Sequence, residues 1–306
     1  MIAMAKIVVA GSINMDLVIS APRLPVIGET ILGSGFVTNP GGKGANQAVA
    51  AARLGCSVAM IGCVGDDFFG KNLIDNLKAD GIDTGSIKIL QGTPTGVAVI
   101  LIEKGNNCII VDPGANAMLE PGDMQNHEEL IRNCDLVITQ LEIPIETVKH
   151  VLKTAKKNNV RTLLNPAPAA ELGSELLEMV DVLTPNETEC EIMTGVKIKS
   201  IEDAKTAARI LLGRGAKNVA VTLGANGAVY NCGERLIHKP AREVKVVDTT
   251  AAGDSFSGAL AAALSDGADM DSAIDFANAV GSLTVTRKGA QTSLPYLSQV
   301  REYMGR

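Results

Sequence analysis

Apolar runs of strand length alternate along this chain with longer segments of helical pattern, and this alternation limits the folds that it can adopt. Two parallel strands need a crossover of about a dozen residues or more, which a helix normally supplies. The alternation therefore predicts an α/β fold with a doubly wound, mainly parallel sheet and helices on both faces. The predicted strands are 6–11, 58–65, 135–142, 161–166, 180–186 and 218–224, and the predicted helices lie near 43–55, 66–80, 121–132, 144–158, 171–179, 200–214, 251–266 and 270–287.

Two stretches, 17–40 and 86–112, interrupt this alternation, because they contain strand-like runs with no helix between them. They predict a small β-sheet, inserted near the first βα junction, that could cover a cleft as a lid. No Pro- or Ser-rich linker and no repeat divides the chain, so we expect one folding unit over 1–306 with this β-lid inserted in it. A small isolated sheet would expose an apolar face and unpaired edges, so the lid also predicts a homodimer.

The charge and the cysteines exclude several classes of protein. Acidic residues outnumber basic ones by 34 to 28, and no Lys/Arg-rich block is present, so neither nucleic acid nor a membrane surface is expected as a partner. The six cysteines show no C-x-x-C spacing and only three histidines accompany them, which predicts free thiols rather than a metal site. We find no signal-peptide pattern and no apolar stretch of about 20 residues, and we expect a cytoplasmic protein.

The segment 247–258, VDTTAAGDSFSG, follows an apolar run and begins a helical pattern of small residues. Small residues at a helix start let free backbone N–H groups approach an anion, and the helix dipole adds partial positive charge. An aspartate in a site that only bound phosphate would repel its ligand. Asp254 is understandable if its carboxylate faces a hydroxyl nucleophile while the amides face a transferred phosphoryl group. Capping of the helix by Asp254 is the alternative.

A second cluster, PGGKGANQAVAAARLG at 40–55, places three glycines around Lys43 before an alanine-rich helix. Such a loop lets the backbone come close to a ligand, and a purely structural turn is the alternative. It is not a Walker A loop, because Gly44 rather than Ser or Thr follows Lys43 and Val37 stands where that motif needs a glycine. The chain also lacks G-x-G-x-x-G, which argues against a dinucleotide-binding oxidoreductase, another class that the strand–helix alternation allows.

Polar side chains follow two further predicted strands. Asn14 and Asp16 lie just past the first strand, and Glu142 ends the strand at 135–142. Because ligands of open α/β sheets bind beyond the carboxyl ends of the strands, these groups should meet at one edge of the sheet. Carboxylate and amide groups suit sugar hydroxyls, which both donate and accept hydrogen bonds. Each of the three could instead only form a turn.

In order and in content, these segments resemble the ribokinase-like (PfkB-type) family of carbohydrate kinases. GGKGANQAVAAARLG and DTTAAGDSFSGAL look like the two signature regions of that family. GSINMD, TGVA, GAN at 114–116, QLE, LNPAPA, TPNETE, TLG and VTRKGAQTS extend the resemblance over nearly the whole chain. The resemblance implies ATP-dependent phosphorylation of a sugar, with D-ribose and its O5 as the first choice. It also implies Mg²⁺ bound with ATP, and K⁺ as an activating cation.

The resemblance further implies roles for individual residues. Asp254 would take the proton from the sugar O5, and the amides of Ala252, Gly253 and Asp254 would form an anion hole. The sugar would be bound by Asn14, Asp16, Gly42, Lys43, Gly44, Asn46, Glu142 and Asp254. The nucleotide would contact Asn186, Glu189, Thr222, Gly224, Gly227 and Asn278, of which Asn186 and Glu189 would organise Mg²⁺ through water. K⁺ would be held near Asp248, Thr250, Thr284, Arg287, Gly289 and Ser293, in part by backbone carbonyls.

Two alternatives stay open, one to ribose as the substrate and one to kinase activity. The first is a kinase for 2-deoxyribose or another sugar or nucleoside. Asn14 beside Asp16 offers a partner for a 2-hydroxyl, and a site built to pair with that hydroxyl should reject the sugar that lacks it. The second is a sugar-binding protein without catalysis, against which the complete segment around Asp254 argues.

Overall fold

Strands and helices alternate along most of the chain in the computed structural model, which describes residues 4–103 and 106–305. The strands are β1 (Lys6–Ala10), β2 (Asn14–Ser20), β3 (Ser34–Gly41), β4 (Ser57–Gly65), β5 (Asp83–Leu90), β6 (Gly96–Glu103), β7 (Asn106–Asp112), β8 (Leu136–Thr139), β9 (Arg161–Leu164), β10 (Val182–Leu183), β11 (Ala220–Thr222), β12 (Ala228–Cys232) and β13 (Arg235–Lys239). The helices are α1 (Lys43–Arg53), α2 (Phe68–Ala79), α3 (Pro121–Met124), α4 (Glu128–Arg132), α5 (Ile145–Lys157), α6 (Ser174–Leu177), α7 (Glu187–Thr194), α8 (Ile201–Gly213), α9 (Ala252–Ser265), α10 (Met270–Thr284) and α11 (Leu297–Met304).

The central sheet consists of β10, β9, β8, β1, β4 and β5, in that order, and every neighbouring pair is parallel. Five of the six predicted apolar runs supply five of these strands, so the predicted doubly wound α/β fold is confirmed. The sixth run gives β11, and two isolated parallel bridges connect this segment to the edge of the sheet: Leu183 of β10 pairs with Val219, just before β11, and Asn186, beyond β10, pairs with Thr222 of β11. β11 then pairs with β12 in an antiparallel sheet, β11–β12–β13.

A separate sheet, β3–β2–β6–β7, lies where the insertion was predicted, and we call it the lid sheet. Its two outer pairs are antiparallel and its inner pair, β2 with β6, is parallel. The predicted range 86–112 is wrong at 86–90, which belongs to β5 and pairs with β4 in the central sheet. β5 is an edge strand whose polar and apolar residues are mixed, so its sequence lacks the continuous apolar run of the buried strands.

Alternate residues of β1 pack on opposite faces of the central sheet, as the two-residue period of a strand requires. Ile7 and Val9 belong to an apolar cluster shared with α1 and α9, whereas Val8 and Ala10 belong to one shared with α5 and α8. On the first face, Gly258 lets α9 lie directly on α1, because an added Cβ would come within 2.7 Å of the Ala50 Cβ. The starts of these two helices are thereby held close together.

Several elements were not predicted. The helix expected at 121–132 is divided into α3 and α4 by a 3₁₀ turn, and α7 and α11 are short helices with few apolar positions. β12 and β13 form a hairpin that the sequence analysis left without structure. Within the described residues, we find no helix with the length and apolar character to cross a membrane.

Candidate active site

The side chains predicted to bind a sugar meet at one edge of the central sheet. β1 and β8 are neighbours, so the segments after their carboxyl ends emerge side by side. Ser12 Oγ donates to Glu142 Oε2 at 2.6 Å, and Asn14 Nδ2 lies 3.5 Å from the same oxygen. The backbone N–H of Lys43, at the start of α1, donates to it at 3.2 Å. Glu142 therefore joins the end of β1 to the Gly-rich loop.

Close backbone packing positions this loop. Gly42 has a φ of 88°, which favours glycine, and a Cβ there would lie 2.6 Å from the backbone nitrogen of Asn14. A Cβ at Gly44 would lie 2.7 Å from the backbone nitrogen of Ser12. These two glycines are therefore required by the packing of the loop against the end of β1, and the same packing places Lys43 beside Glu142.

Asp254 lies in the first turn of α9 and is 7% exposed. Each of its carboxylate oxygens accepts a hydrogen bond from α1: Asn46 Nδ2 donates to Oδ2 at 2.9 Å, and Gln47 Nε2 donates to Oδ1 at 3.0 Å. A carboxylate that capped its own helix would instead bond backbone N–H groups of that helix, and no such bond exists among the described residues. The position of Asp254 thus favours the functional interpretation over the capping one.

The N-terminus of α9 offers an anion-binding position. Ala251 precedes the helix with a φ of 59°, which is uncommon for a residue with a side chain. The Ala252 N–H donates to the Thr249 carbonyl at 3.2 Å, whereas the amides of Gly253 and Asp254 have no acceptor in the described part of the chain. A Cβ added at Gly253 would meet no atom within 4 Å. Two of the three predicted amides are therefore free, and the space beside Gly253 is open.

Asn116 fixes the orientation of Asn14, and the sequence analysis gave it no role. Its Nδ2 donates to Asn14 Oδ1 at 2.7 Å and to the Ile13 carbonyl at 3.2 Å, while its Oδ1 accepts the Ile13 N–H at 2.9 Å. A Cβ at Gly96 would overlap the side chains of both asparagines. Because the Asn14 oxygen is occupied, Asn14 presents its Nδ2 on the side of Glu142.

Carboxylates crowd this site and raise the pKa of Asp16. Asp16 lies in β2, 7% exposed, and a Cβ at Gly41 would overlap its carboxylate. Burial, followed by the charges of Glu142 and Asp254, raises the pKa of Asp16 from its ordinary 3.8 to about 7, against the opposing charge of Lys43. Asp16 therefore changes its protonation state near neutral pH.

Lys43 is the cation that these carboxylates share. Burial lowers the pKa of its ammonium group, but the charges of Asp254, Glu142, Glu189 and Asp16 outweigh burial and the net shift is upward. Lys43 is therefore charged at neutral pH and lies within electrostatic reach of all four carboxylates.

Asn186 and Glu189 form a reciprocal cap at the start of α7. Glu189 Oε2 and Oε1 accept from the Asn186 N–H at 2.8 Å and from Asn186 Nδ2 at 2.9 Å, and Asn186 Oδ1 accepts the Glu189 N–H at 2.9 Å. Burial raises the pKa of Glu189 to about 7, against the Asn186 N–H and the charge of Lys43. The pair thus stabilises a helix end and also adds a buried carboxyl group to the cluster around Lys43.

The other residues predicted to line a nucleotide site form a strip beyond α7. Thr222 ends β11 and bridges to the N-cap residue of α7. Gly224 and Gly227, with φ of 52° and 82°, shape the turn into β12. A Cβ at Gly227 would overlap the Lys239 carbonyl, which accepts from Asn278 Nδ2 at 3.3 Å. The structure thus places Asn278 beside the glycine turn.

Asp248 joins two of the segments predicted to hold a monovalent cation. Its Oδ1 accepts from the Thr250 N–H at 2.9 Å and from Thr250 Oγ1 at 2.6 Å, and its Oδ2 accepts the Gly289 N–H at 2.9 Å. Although burial raises it, these hydrogen bonds leave the pKa of Asp248 below its ordinary value. An ionised carboxylate therefore lies between the two loops.

Three of the predicted cation-site side chains bond elsewhere. Thr284 Oγ1 donates to the Val280 carbonyl at 2.9 Å and Ser293 Oγ donates to the Ala290 carbonyl at 2.7 Å. Arg287 donates to Gln299 Oε1 at 3.2 Å. The cationic side chain of Arg287 cannot bind K⁺, so of this residue only the backbone carbonyl is a candidate ligand, whereas the Thr284 and Ser293 hydroxyl oxygens keep lone pairs after donating their hydrogens.

Four site residues escaped the sequence analysis: Ser12, Gly41, Gln47 and Asn116. Each lies inside a motif that had been singled out, in GSINMD, PGGKGANQ or GAN, and each acts on a neighbour that was assigned a role. The signal was therefore present, but which member of a motif supports another depends on contacts between distant segments.

Known proteins are similar to this chain over nearly its whole length. A model of the pfkB family of carbohydrate kinases matches residues 4–297. A ribokinase from Haemophilus influenzae is 43% identical over 298 residues, which cover 97% of this chain and 97% of that protein. A deoxyribokinase from Salmonella typhimurium is 40% identical over 300 residues, which cover 97% of this chain and 98% of that protein.

Solved structures agree in fold. The structure of an Arabidopsis thaliana ribokinase complexed with ribose and ATP has a TM-score of 0.92 and 34% identity, and the match covers 99% of this chain and all of that one. A putative ribokinase II from E. coli in complex with ATP and Mg²⁺ has a TM-score of 0.81 and 26% identity, with 99% of this chain and all of that one covered.

Proposed function

Because this chain belongs to the pfkB family of carbohydrate kinases, we propose that it transfers the γ-phosphoryl group of ATP to O5 of D-ribose, giving ribose 5-phosphate and ADP. The observation that carries the proposal is the buried Asp254 carboxylate at the start of α9, which accepts hydrogen bonds from the neutral side-chain amides of Asn46 and Gln47 in α1. A base and free backbone amides within one helical turn are what phosphoryl transfer to an alcohol needs.

In the proposed reaction, Asp254 accepts the proton of the sugar hydroxyl while that oxygen attacks the γ-phosphorus. The bond from the γ-phosphorus to the bridging oxygen breaks, and its electron pair leaves with ADP. The Gly253 and Asp254 amides stabilise charge on the moving group, for which the space beside Gly253 leaves room. Asn46 and Gln47 orient the carboxylate without a positive charge that would weaken it as a base.

The groups around Lys43 support a sugar as the acceptor, and Asn14 supports ribose over 2-deoxyribose. Asn116 occupies the Asn14 oxygen, so Asn14 offers an N–H donor to the sugar. Asn14 Nδ2 carries two hydrogens and lies 3.5 Å from Glu142 Oε2; a 2-hydroxyl would accept from the second hydrogen, which 2-deoxyribose would leave unpaired in a buried site. Relatives that act on either sugar match this chain over similar lengths, so this donor and not overall identity favours ribose.

Mg²⁺ bound with ATP would offset the negative charge of the phosphates. Glu189 and Asn186 would hold it through water. Glu189 fits this role because its carboxyl group is buried with a pKa of about 7, and a cation nearby would favour its charged form. Among the described residues, no cluster of three or more His, Cys, Asp or Glu side chains could hold a metal, which agrees with an ion carried mainly by the nucleotide.

A monovalent cation such as K⁺ would strengthen the anion hole through its charge. Asp248 supports this part of the proposal, because its ionised carboxylate joins Thr250 and Gly289 through N–H and O–H donors rather than through a cationic side chain. The carbonyls of Thr284, Arg287 and Ser293 would complete the site. Asp248 lies six residues before Asp254, so an ion there would support the turn that leads into α9.

The lid sheet supports a homodimer. Large apolar side chains on its two edge strands are exposed: Phe36, Val37, Ile109, Ile110 and Val111. An exposed apolar patch on an unpaired sheet favours association with a second copy of the same surface. We propose that two lid sheets pack together and that each covers the sugar site of its own chain. The six cysteines are all free, which supports a reducing, cytoplasmic location.

ADP release with ribose, 2-deoxyribose, fructose and adenosine tests the substrate. We expect the highest kcat/KM with ribose, and a higher value with 2-deoxyribose would refute the role of Asn14. For the mechanism, Asp254→Asn should lower kcat by at least about 10²-fold, with far less change in sugar affinity. The exposed α2 variant Asp75→Asn serves as the control. Near-normal turnover of Asp254→Asn would remove Asp254 as the base.

A further inference from the structure

Gln47 is fully buried under the site, and each of its polar atoms has a partner. Its Nε2 donates to Asp254 Oδ1 at 3.0 Å and to Asn165 Oδ1 at 3.1 Å, and its Oε1 accepts from Gln140 Nε2 at 2.7 Å. With no exposed surface, Gln47 has no direct access to sugar or nucleotide. Its direct link to the proposed reacting groups is the hydrogen bond to Asp254.

A backbone carbonyl determines which end of the Gln47 amide faces Asp254. The Thr184 carbonyl can only accept, and Asn165 Nδ2 donates to it at 3.0 Å. Asn165 must then present its oxygen to Gln47, so Gln47 must present its nitrogen. The second hydrogen of that nitrogen points at Asp254. A reversed Gln47 amide would place an oxygen against two acceptors.

We propose that Gln47 is a positioning residue for the base, aligned by the Thr184 carbonyl through Asn165. The inference rests on the proposed role of Asp254. A donor fixed in advance holds the carboxylate without reorganisation during the reaction, and a small misalignment of a reacting group lowers the rate steeply. The same donor stabilises the ionised form of the carboxylate, which must be present before the proton can be accepted.

Asp254 is faced by other charged groups, which are common to all the variants compared below. Lys43 lies at the start of α1, Asp16 in the lid sheet, Glu142 after β8 and Glu189 in α7. A difference between variants in kcat is therefore assigned to the altered amide.

Gln47→Met keeps the size of the side chain and removes its hydrogen bonds. We expect kcat to fall by about 10- to 100-fold while KM for ribose and for ATP changes by less than about threefold. Turnover within about threefold of the wild type would overturn the inference.

Asn165→Leu tests the alignment and stands alone if Gln47→Met does not fold. It leaves Gln47 in place but removes the acceptor that orients it, so kcat should fall with KM retained, by less than in Gln47→Met. The double variant should lose no more than Gln47→Met alone, since both act through one hydrogen bond. If the losses of kcat multiplied in the double variant, or if Asn165→Leu left kcat unchanged, the proposed alignment through the Thr184 carbonyl would be contradicted.

Asn231→Leu is the matched control for loss of a buried amide. Asn231 in β12 accepts the Val219 N–H at 2.8 Å and donates to Asn218 Oδ1 at 3.2 Å, outside the candidate site. It should lower Tm as the Gln47 variant does, yet leave kcat unchanged. Asp254→Asn is measured in parallel. If it retains turnover, the base assignment fails; if it loses turnover and Gln47→Met does not, only the present inference fails.

Discussion

Replacing Asp16 by Asn should stabilise the empty protein at pH 8 while weakening sugar binding. A pKa raised from 3.8 to about 7 disfavours the charged carboxylate in the folded state by roughly 4 kcal/mol. Asn is also polar, and burying it costs free energy as well. The net gain in the free energy of unfolding should therefore be about 1–2 kcal/mol. For 306 residues, an unfolding entropy of about 2.1 cal/mol/K per residue converts that gain to a Tm rise of about 2–3 °C.

The gain from Asp16→Asn should depend on pH. Because the folded-state pKa lies above the unfolded one, the wild-type protein loses stability as pH rises from about 4 to about 7, and the penalty is complete above that range. The Tm difference between the variant and the wild type should therefore be larger at pH 8 than at pH 5.

Thermal unfolding followed by fluorescence at both pH values, with and without ribose, measures these effects. Ribose should raise the Tm of the wild type more than that of Asp16→Asn, because the variant binds it less tightly. Asp75→Asn, at an exposed position of α2, should match the wild type at both pH values. The reasoning is refuted if Asp16→Asn is no more stable than the wild type at pH 8, or if the difference is independent of pH.

Further predictions concern the helix starts, the lid and the cation. Gly253→Ala should fold with a wild-type Tm, since its Cβ meets nothing, but should lower kcat about tenfold because the methyl group enters the phosphoryl space. Gly258→Ala should lower Tm by several degrees in thermal unfolding, because its Cβ would press on Ala50. Phe36→Glu should shift the protein to monomer in light scattering, whereas Phe68→Glu, on the exposed face of α2, should not. Replacing K⁺ by Na⁺ at constant ionic strength should lower kcat, and equal rates would contradict the cation site.

The sequence predicts the central sheet well because its inner strands are buried on both faces. Such strands appear as continuous apolar runs, as in KIVVA of β1. β5 lies at the edge of the same sheet and alternates in character, so it was grouped with the lid. A search for continuous apolar runs therefore finds the strands that are buried on both faces and misses a partly exposed edge strand such as β5.

The site could be predicted as far as its motifs reach. The small residues before Asp254 indicate an anion site, because their chemistry is local to one helix start. The hydrogen bond from Gln47 to Asp254 joins residues 207 positions apart, and its direction depends on a carbonyl in a third segment. No local pattern contains that information, since it arises only when α1 and α9 lie against the sheet.

At Gly258 the backbone of α9 packs directly against the Ala50 methyl group of α1, so the two helices should move as one body. Asp16, in contrast, lies in β2 of the lid sheet. The carboxylates of Asp16 and Asp254, between which we propose that the sugar binds, thus belong to parts of the structure that can separate, and their mutual repulsion favours separation in the absence of sugar. A bound sugar would donate hydrogen bonds from its hydroxyl groups to both carboxylates and would thereby favour the closed arrangement. Sugar affinity would then depend on closure of the lid sheet over the site. The phosphorylated product carries additional negative charge, so its repulsion from the carboxylates would favour opening and product release.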